Sequence, residues 1–230
     1  MKNALFGAAA SAAALVCPTP AAAQSSQTLE VVSGTTSFRA VTVSFFDPIG
    51  QTFTAFSDTI DSVGFQFVTF NGGANSPLSL AIYAGETLTG TALFNTTFVL
   101  PASVNNRDTP VWVDVAVPDL AVLRDQTYSI VLSATSDRAA LVLGPGYNSQ
   151  TGQFFGGDAY SGGKLISAVT TYPNCTGAAN NCDANFRVTG DLIAAAVPEP
   201  TSWALLILGF GVIGSALRRT RKTRAQLTFA

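Results

Sequence analysis

Apolar and polar residues alternate along most of the segment between residues 38 and 191. A period of two is the pattern of strands that bury one face, and it predicts β-structure here. Ten runs have this alternation or a strand-like composition. They are Phe38–Phe46, Gln51–Phe56, Ile60–Phe70, Leu78–Ile82, Thr91–Leu100, Val111–Val117, Tyr128–Leu132, Ala139–Leu143, Lys164–Thr171 and Asn185–Asp191.

Turn-forming residues separate these runs, as in Asn71-Gly72-Gly73 and Gly144-Pro145-Gly146. Many short strands without a long amphipathic helix predict an all-β fold, an antiparallel β-sandwich. The inward-facing positions of the strands should form its core. These are Phe65, Phe67, Leu80, Ile82, Phe94, Val113, Val115, Ile130, Leu132 and Phe186.

Residues 1–23 have the three parts of a secretory signal peptide. Lys2 supplies a positive charge, Ala4–Val16 is apolar, and Ala21–Ala23 are small, which predicts cleavage before Gln24. An uncleaved anchor is disfavoured because the apolar run is short for a bilayer span. Lipidation at Cys17 is a minor alternative, since a bulky valine precedes it. The expected partners are the Sec translocon and signal peptidase.

The other end of the chain combines an apolar run, Trp203–Leu217, with a basic cluster at residues 218–224. As a helix, the apolar run is roughly 22 Å long at ~1.5 Å per residue, short of a ~30 Å hydrocarbon core. It predicts a single, weakly anchored transmembrane helix. The basic residues place its carboxyl end in the cytoplasm.

Residues 197–224 closely resemble the PEP-CTERM sorting signal of Gram-negative bacteria, in the variant with Trp-Ala after the motif. The resemblance rests on three features in order: a Pro-Glu-Pro motif, an apolar span and an arginine cluster. Their residues are Pro198, Glu199, Pro200, Trp203, Arg218, Arg219 and Arg221. Two departures, Leu205 in place of a frequent methionine and Thr220 within the arginines, remove neither the span nor the charge.

This resemblance implies processing by an exosortase, a multi-pass membrane enzyme that recognises the Pro-Glu-Pro motif. Proteins with this tail are usually associated with exopolysaccharide, biofilm or floc formation. The expected organisation is a signal peptide (1–23), an exported domain (24–196) and a sorting signal (197–224). The protein would cross the inner membrane, be held there transiently, and finish at the cell surface or outside the cell.

The charge of the exported segment argues against nucleic acid as a partner. Residues 24–196 hold six basic and thirteen acidic side chains, a net charge of −7, without a basic footprint. The whole chain has no histidine, which excludes a Ser-His-Asp triad, a Cys-His pair and imidazole-bound zinc. We expect no catalytic residues and no enzymatic activity, and no metal site apart from the structural calcium ion considered below.

The strand order of the exported segment resembles that of jelly-roll sandwiches in many exported bacterial proteins, including carbohydrate-binding modules. The resemblance is carried by Ile49–Thr54, Leu80–Tyr83 and Tyr128–Leu132. It implies the fold and transfers no ligand site.

A glycine-rich aromatic segment is the candidate sugar-contact site. Its residues are Tyr147, Phe154, Phe155, Asp158 and Tyr160. Exposed rings can stack on the apolar faces of sugars while polar groups bond to their hydroxyls. The alternative is that the rings fill the core at the edge of the sandwich.

Cys175 and Cys182 enclose a short polar loop and predict a disulfide in an oxidising compartment, since a metal or redox site needs more partners or closer spacing. A structural calcium ion is possible at Asp158, Asp183 or Asp191, although no EF-hand spacing is present.

The expected role is a structural or adhesive component of an extracellular polysaccharide matrix. One alternative is a sugar-binding surface module. A less favoured one is a carboxylate glycosidase, which needs two carboxylates ~5 to 10 Å apart in a cleft. An ice-binding face ranks last, because the Thr-rich strands have no regular repeat.

Overall fold

The computed structural model describes residues 24–32, 38–70, 77–136, 138–144, 146–148, 153–155, 158–169, 182–193, 206–215 and 218. Gln24–Ile193 forms one compact unit. Its strands are β1 (Gln24–Val31), β2 (Arg39–Thr42), β3 (Ile49–Thr54), β4 (Thr59–Thr69), β5 (Pro77–Ala84), β6 (Phe94–Val99), β7 (Val111–Ala121), β8 (Thr127–Ser133), β9 (Ala139–Gly144), β10 (Gly146–Asn148), β11 (Gln153–Phe155), β12 (Leu165–Ser167), β13 (Asp183–Ala184) and β14 (Phe186–Ile193).

The strands form two main antiparallel sheets. In the seven-stranded sheet, β4 has β7 on one side, while β14 and β9 share the other side. β1 pairs with β14, and β2 and β13 pair with β9. The five-stranded sheet has the order β12-β3-β8-β5-β6. The all-β, antiparallel fold expected from the sequence is confirmed.

Strands β2 to β9 follow a regular order across the two sheets. In one sheet they run β2-β9-β4-β7, and in the other β3-β8-β5-β6. Neighbours in each sheet are mostly far apart in sequence, as in the Greek-key connections of a jelly roll. Alternation of apolar residues cannot specify this order, because it reports only which face of a strand is buried.

One hydrophobic core lies between the sheets and takes side chains from both of them. Phe65, Phe67 and Phe186 come from the larger sheet, and Ile130 and Leu132 come from the smaller one, all at 1% exposure or less. Nine of the ten core positions predicted from the sequence are buried. The tenth, Phe94, is partly buried and packs against the core from edge strand β6.

Some strands differ from their predicted limits for local reasons. The predicted run Phe38–Phe46 ends as a strand at Thr42, because Val43–Phe45 form a 3₁₀ turn. Strand β1 was not predicted, since its sequence QSSQTLEV is mostly polar and exposed. It forms because its whole length pairs with β14.

The carboxyl-terminal segment contains a helix at residues 206–215, whose apolar side chains are exposed. Trp203 and Leu217, the limits of the predicted span, lie outside the described residues, as does the signal-peptide segment 1–23. Among the described residues, no helix combines the length and the apolar character that a membrane span needs.

Gly190 in β14 is a position where the backbone leaves no room for a side chain. A Cβ there would lie 1.9 Å from the carbonyl oxygen of Thr59 and 2.5 Å from Oγ of Ser57. We expect Gly190→Ala to lower the free energy of unfolding by about 1–3 kcal/mol, because backbone must move aside. Urea unfolding at pH 7 measures this change.

The matched control is Ser26→Ala on the neighbouring strand β1, where the side chain is exposed. Its free energy of unfolding should stay within about 0.5 kcal/mol of the wild-type value. Equal stability of Gly190→Ala and the wild type would contradict the close approach of β14 to Thr59.

Candidate functional site

Hydrogen bonds hold the segment 158–165 against strand β3. The amide N of Thr52 donates to the carbonyl O of Lys164 over 2.8 Å, and the amide N of Lys164 donates to Oγ1 of Thr52 over 2.8 Å. At Gly163 a Cβ would lie 1.8 Å from the carbonyl O of Thr52. Only glycine therefore fits this approach, which brings Asp158 and Tyr160 beside the start of β13.

Asp183 is the polar centre of this region, although it is only 1% exposed. Nε2 of the fully buried Gln51 donates to its Oδ1 over 2.8 Å, and the amide N of Tyr160 donates to its Oδ2 over 3.0 Å. Oε1 of Gln51 accepts a hydrogen bond from the amide N of Ala184 over 2.8 Å. These bonds join β3, β13 and the 158–165 segment. No motif or spacing in the sequence points to Gln51 as part of this site.

Asp158 lies at the exposed side of Asp183, and its Oδ1 also accepts from the amide N of Tyr160, over 3.0 Å. Burial raises the pKa of Asp183 to about 7, and the hydrogen bond and charge of Asp158 act in the same direction. The bonds from Gln51 and Tyr160 oppose the shift. Near neutral pH the Asp183 side chain therefore changes between its protonated and ionised forms.

This carboxyl pair does not have the arrangement of a glycosidase. Glycosidase carboxylates stand ~5 to 10 Å apart and face the scissile bond, whereas Asp183 is only 1% exposed. Both oxygens of the buried Asp183 already accept bonds from the protein. These bonds hold β3, β13 and the 158–165 segment together.

Tyr160 packs into the body. Its half-buried ring makes an edge-to-face contact with Phe186, with ring centroids 5.6 Å apart. Its hydroxyl oxygen accepts a hydrogen bond from the amide N of Thr54 over 3.2 Å. Both the ring and the hydroxyl group therefore contact the body.

The other rings of the candidate sugar site are carried by a two-stranded hairpin. Strands β10 and β11 pair so that Tyr147 is directly opposite Phe154, and Gly146 is opposite Phe155. The side chains of these residues lie outside the described part of the chain. The backbone register thus makes Tyr147 and Phe154 cross-strand partners, and a sugar contact stays a prediction.

Cys182 is 1% exposed, and its carbonyl O accepts a hydrogen bond from the amide N of Leu165 over 3.1 Å. Cys175 lies outside the described residues. The disulfide between them stays a prediction.

The three aspartates considered for calcium are not all together. Asp158 and Asp183 both accept from the amide N of Tyr160, whereas Asp191 lies on β14, where its amide N donates to Oγ1 of Thr59. Within the described ranges, no three acidic or cysteine side chains are grouped so as to hold a metal ion.

Because the pKa of Asp183 is raised, the free energy of unfolding should depend on pH in the range where histidine side chains usually titrate. The folded state binds the proton of Asp183 more tightly than the unfolded state does. The stabilisation from this proton is therefore complete below pH 3.8, the ordinary pKa, and is lost as the pH rises to about 7. Since the chain has no histidine, the urea midpoint should fall between pH 5 and pH 8. Asp158→Asn should reduce this fall by lowering the pKa of Asp183.

Asp108→Asn is the matched control, because the Asp108 side chain is 87% exposed. It should leave the pH dependence of the urea midpoint unchanged. A full wild-type slope in Asp158→Asn would show that another group is responsible.

The comparisons with known proteins concern mainly the carboxyl-terminal segment. No curated protein matches the chain. A solved chain from Desmodium yellow mottle tymovirus is 11% identical, over 85% of this chain and 99% of that one, with a TM-score of 0.19. This score is too low to indicate a common fold.

The family model of the PEP-CTERM protein-sorting motif matches residues 196–222. The match begins three residues after β14 ends at Ile193 and includes the Pro-Glu-Pro residues, the helical residues 206–215 and the first arginines. The resemblance seen in the sequence is confirmed: residues 196–222 of this chain are a PEP-CTERM protein-sorting motif.

Proposed function

We propose that this chain is an exported β-sandwich protein that an exosortase sorts through its carboxyl-terminal motif. The observation that carries the proposal is the motif at residues 196–222, directly after the compact unit Gln24–Ile193. In this proposal the signal peptide is removed before Gln24. The apolar segment Trp203–Leu217 then holds the protein transiently in the inner membrane of a Gram-negative cell.

The pairing of β1 with β14 supports processing at both ends. Gln24 is the first residue of β1, and it pairs directly with Ile193, the last residue of β14. Cleavage before Gln24 or near Pro198 therefore removes no strand. A mature protein of this length keeps all its sheet hydrogen bonds.

The mature role that we propose is structural or adhesive, within an extracellular polysaccharide matrix. The chain would be a substrate of the sorting enzyme and not itself an enzyme. The absence of histidine and the internal use of the Asp158–Asp183 pair support this role. A Cys175–Cys182 disulfide would brace the loop before β13 outside the cell.

Sugar binding through the β10–β11 hairpin is the second candidate function. The cross-strand register of Tyr147 and Phe154 supports it, because paired aromatic residues offer a continuous surface to a sugar ring. The double variant Tyr147→Ala/Phe154→Ala should then migrate faster than the wild type in native gels that contain the polysaccharide of the producing cell. Equal retardation of both proteins would contradict this function.

Sorting is tested by the intact mass and location of the protein in cells with and without the exosortase. With the enzyme, the main species should begin near Gln24 and end near Pro198, outside the inner membrane. Glu199→Ala should make the tail-retaining, membrane-bound form the main species even when the enzyme is present, because the recognition motif is broken.

Thr223→Ser is the control, since Thr223 follows the matched residues directly. It should be processed like the wild type. If the tail persists equally in cells with and without the enzyme, the protein is an ordinary anchored protein and the proposal fails.

A further inference from the structure

A half-open surface cavity of about 160 Å³ lies at one end of the smaller sheet, and most of its lining residues are exposed. Its walls come from β5, β6, β8 and the turn before β3. The lining residues are Asp47, Pro77, Leu78, Ser79, Thr97, Ser133, Ala134 and Thr135. Pockets for drug-sized molecules measure ~300–1,000 Å³, so this cavity accommodates only a smaller unit, on the scale of one sugar ring.

Hydroxyl side chains on the outer face of the sheet line this cavity, and those of Ser79 and Thr97 are exposed. Ser133, Ser79 and Thr97 are successive cross-strand partners on β8, β5 and β6, which places them in a row at ~4.8 Å intervals. Thr135 adds a fourth hydroxyl group. Among the residues that the structure describes, none of these four groups has a side-chain hydrogen-bond partner.

Other hydroxyl groups of the same sheet are used differently. Oγ of Ser129 donates to the carbonyl O of Gly85 and accepts from the amide N of Thr87, and Oγ1 of Thr54 donates to the carbonyl O of Gly162. These groups stabilise loops of the body. The hydroxyl groups of the cavity are therefore available to a ligand.

Asp47 supplies the only charge among the lining residues. Its Oδ1 accepts a long hydrogen bond from the amide N of Ala134, over 3.3 Å, and the side chain is exposed. Its second oxygen can accept bonds from ligand hydroxyl groups. Because the lining has no lysine or arginine, an anionic ligand would be repelled without compensation.

We propose that this cavity binds one neutral sugar unit of a glycan chain. Hydroxyl side chains both donate and accept, as sugar hydroxyls do, and the carboxylate accepts from them in a charge-assisted bond. Pro77 and Ala134 provide apolar surface for the C–H groups of the ring. The lining residues do not include the β10–β11 hairpin. Only the identification of the ligand as a glycan rests on the proposed matrix role.

The position of the cavity suits a protein that is attached by its carboxyl end. Thr127 pairs with Thr54 at the end of the sheet where the chain turns towards Asp58, and the amide N of Ile193 donates to Oδ2 of Asp58 over 2.8 Å. Ser133 is six residues further along β8, about 20 Å away at ~3.4 Å per residue. The cavity is thus at the end of the body opposite to the exit of the chain.

The test is a titration of the full chain, in detergent, with oligosaccharides. Binding is monitored by amide NMR shifts and by calorimetry. The probes are two neutral oligosaccharides, cellohexaose and maltohexaose, and an anionic one, an alginate hexamer. We expect at least one neutral probe to bind and to shift the amide signals of Ser79, Thr97 and Ser133, while the alginate hexamer binds at least tenfold more weakly.

Asp47→Asn should weaken binding about tenfold, because it removes a charged acceptor but keeps the contact to Ala134. Thr97→Val should also weaken it several-fold. The matched control is Thr127→Val, an exposed hydroxyl residue at the other end of the same sheet, which should bind like the wild type.

Three results would overturn the proposal: no binding of either neutral probe, equal binding of the alginate hexamer, or unchanged binding in both cavity variants. Shifts confined to residues 146–155 would assign the sugar to the hairpin and also overturn it. The titration requires no exosortase. A negative titration would therefore not contradict the sorting proposal, and a failure of sorting would not contradict the sugar site.

Discussion

The body depends on the position of its last strand, β14, inside the larger sheet. β14 pairs with β1 on one side and β4 on the other, and its Phe186 is fully buried in the core. It fits because Gly190 lets the backbone approach Thr59 more closely than any side chain would allow. Most strand pairs in this body join distant parts of the chain, so the core is complete only when β14 is in place.

This arrangement joins the fold to the sorting motif. Since β14 ends at Ile193 and the motif begins at residue 196, the strand that completes the sheet is also the one that leads to the tail. The first strand, β1, runs beside it in full register. The first and last residues of the body, Gln24 and Ile193, therefore lie side by side.

A body with few charges satisfies its polar groups mostly with neutral partners. The cations that it has are largely paired: Arg187 contacts Asp114 and Glu30 and lies 4.6 Å from the ring centre of Trp112. Elsewhere amides and hydroxyls do this work, as Gln51 does for the buried Asp183. Ion pairs at the surface, such as those of Arg187, add little to the free energy of unfolding. The core and the hydrogen bonds of the sheets therefore supply most of the stability.

The sequence by itself determined the class of fold, most of the core and the sorting motif, because each of these is written in a local pattern. Alternation identifies the buried face of a strand, and the motif is contiguous. It did not determine the order of the strands, the polar β1, the carboxyl pair or the hydroxyl-lined cavity. Gln51 and Asp183 are 132 residues apart, and Ser133, Ser79 and Thr97 come from three separate strands. Only the tertiary structure could decide these features, because their chemistry arises where distant strands meet.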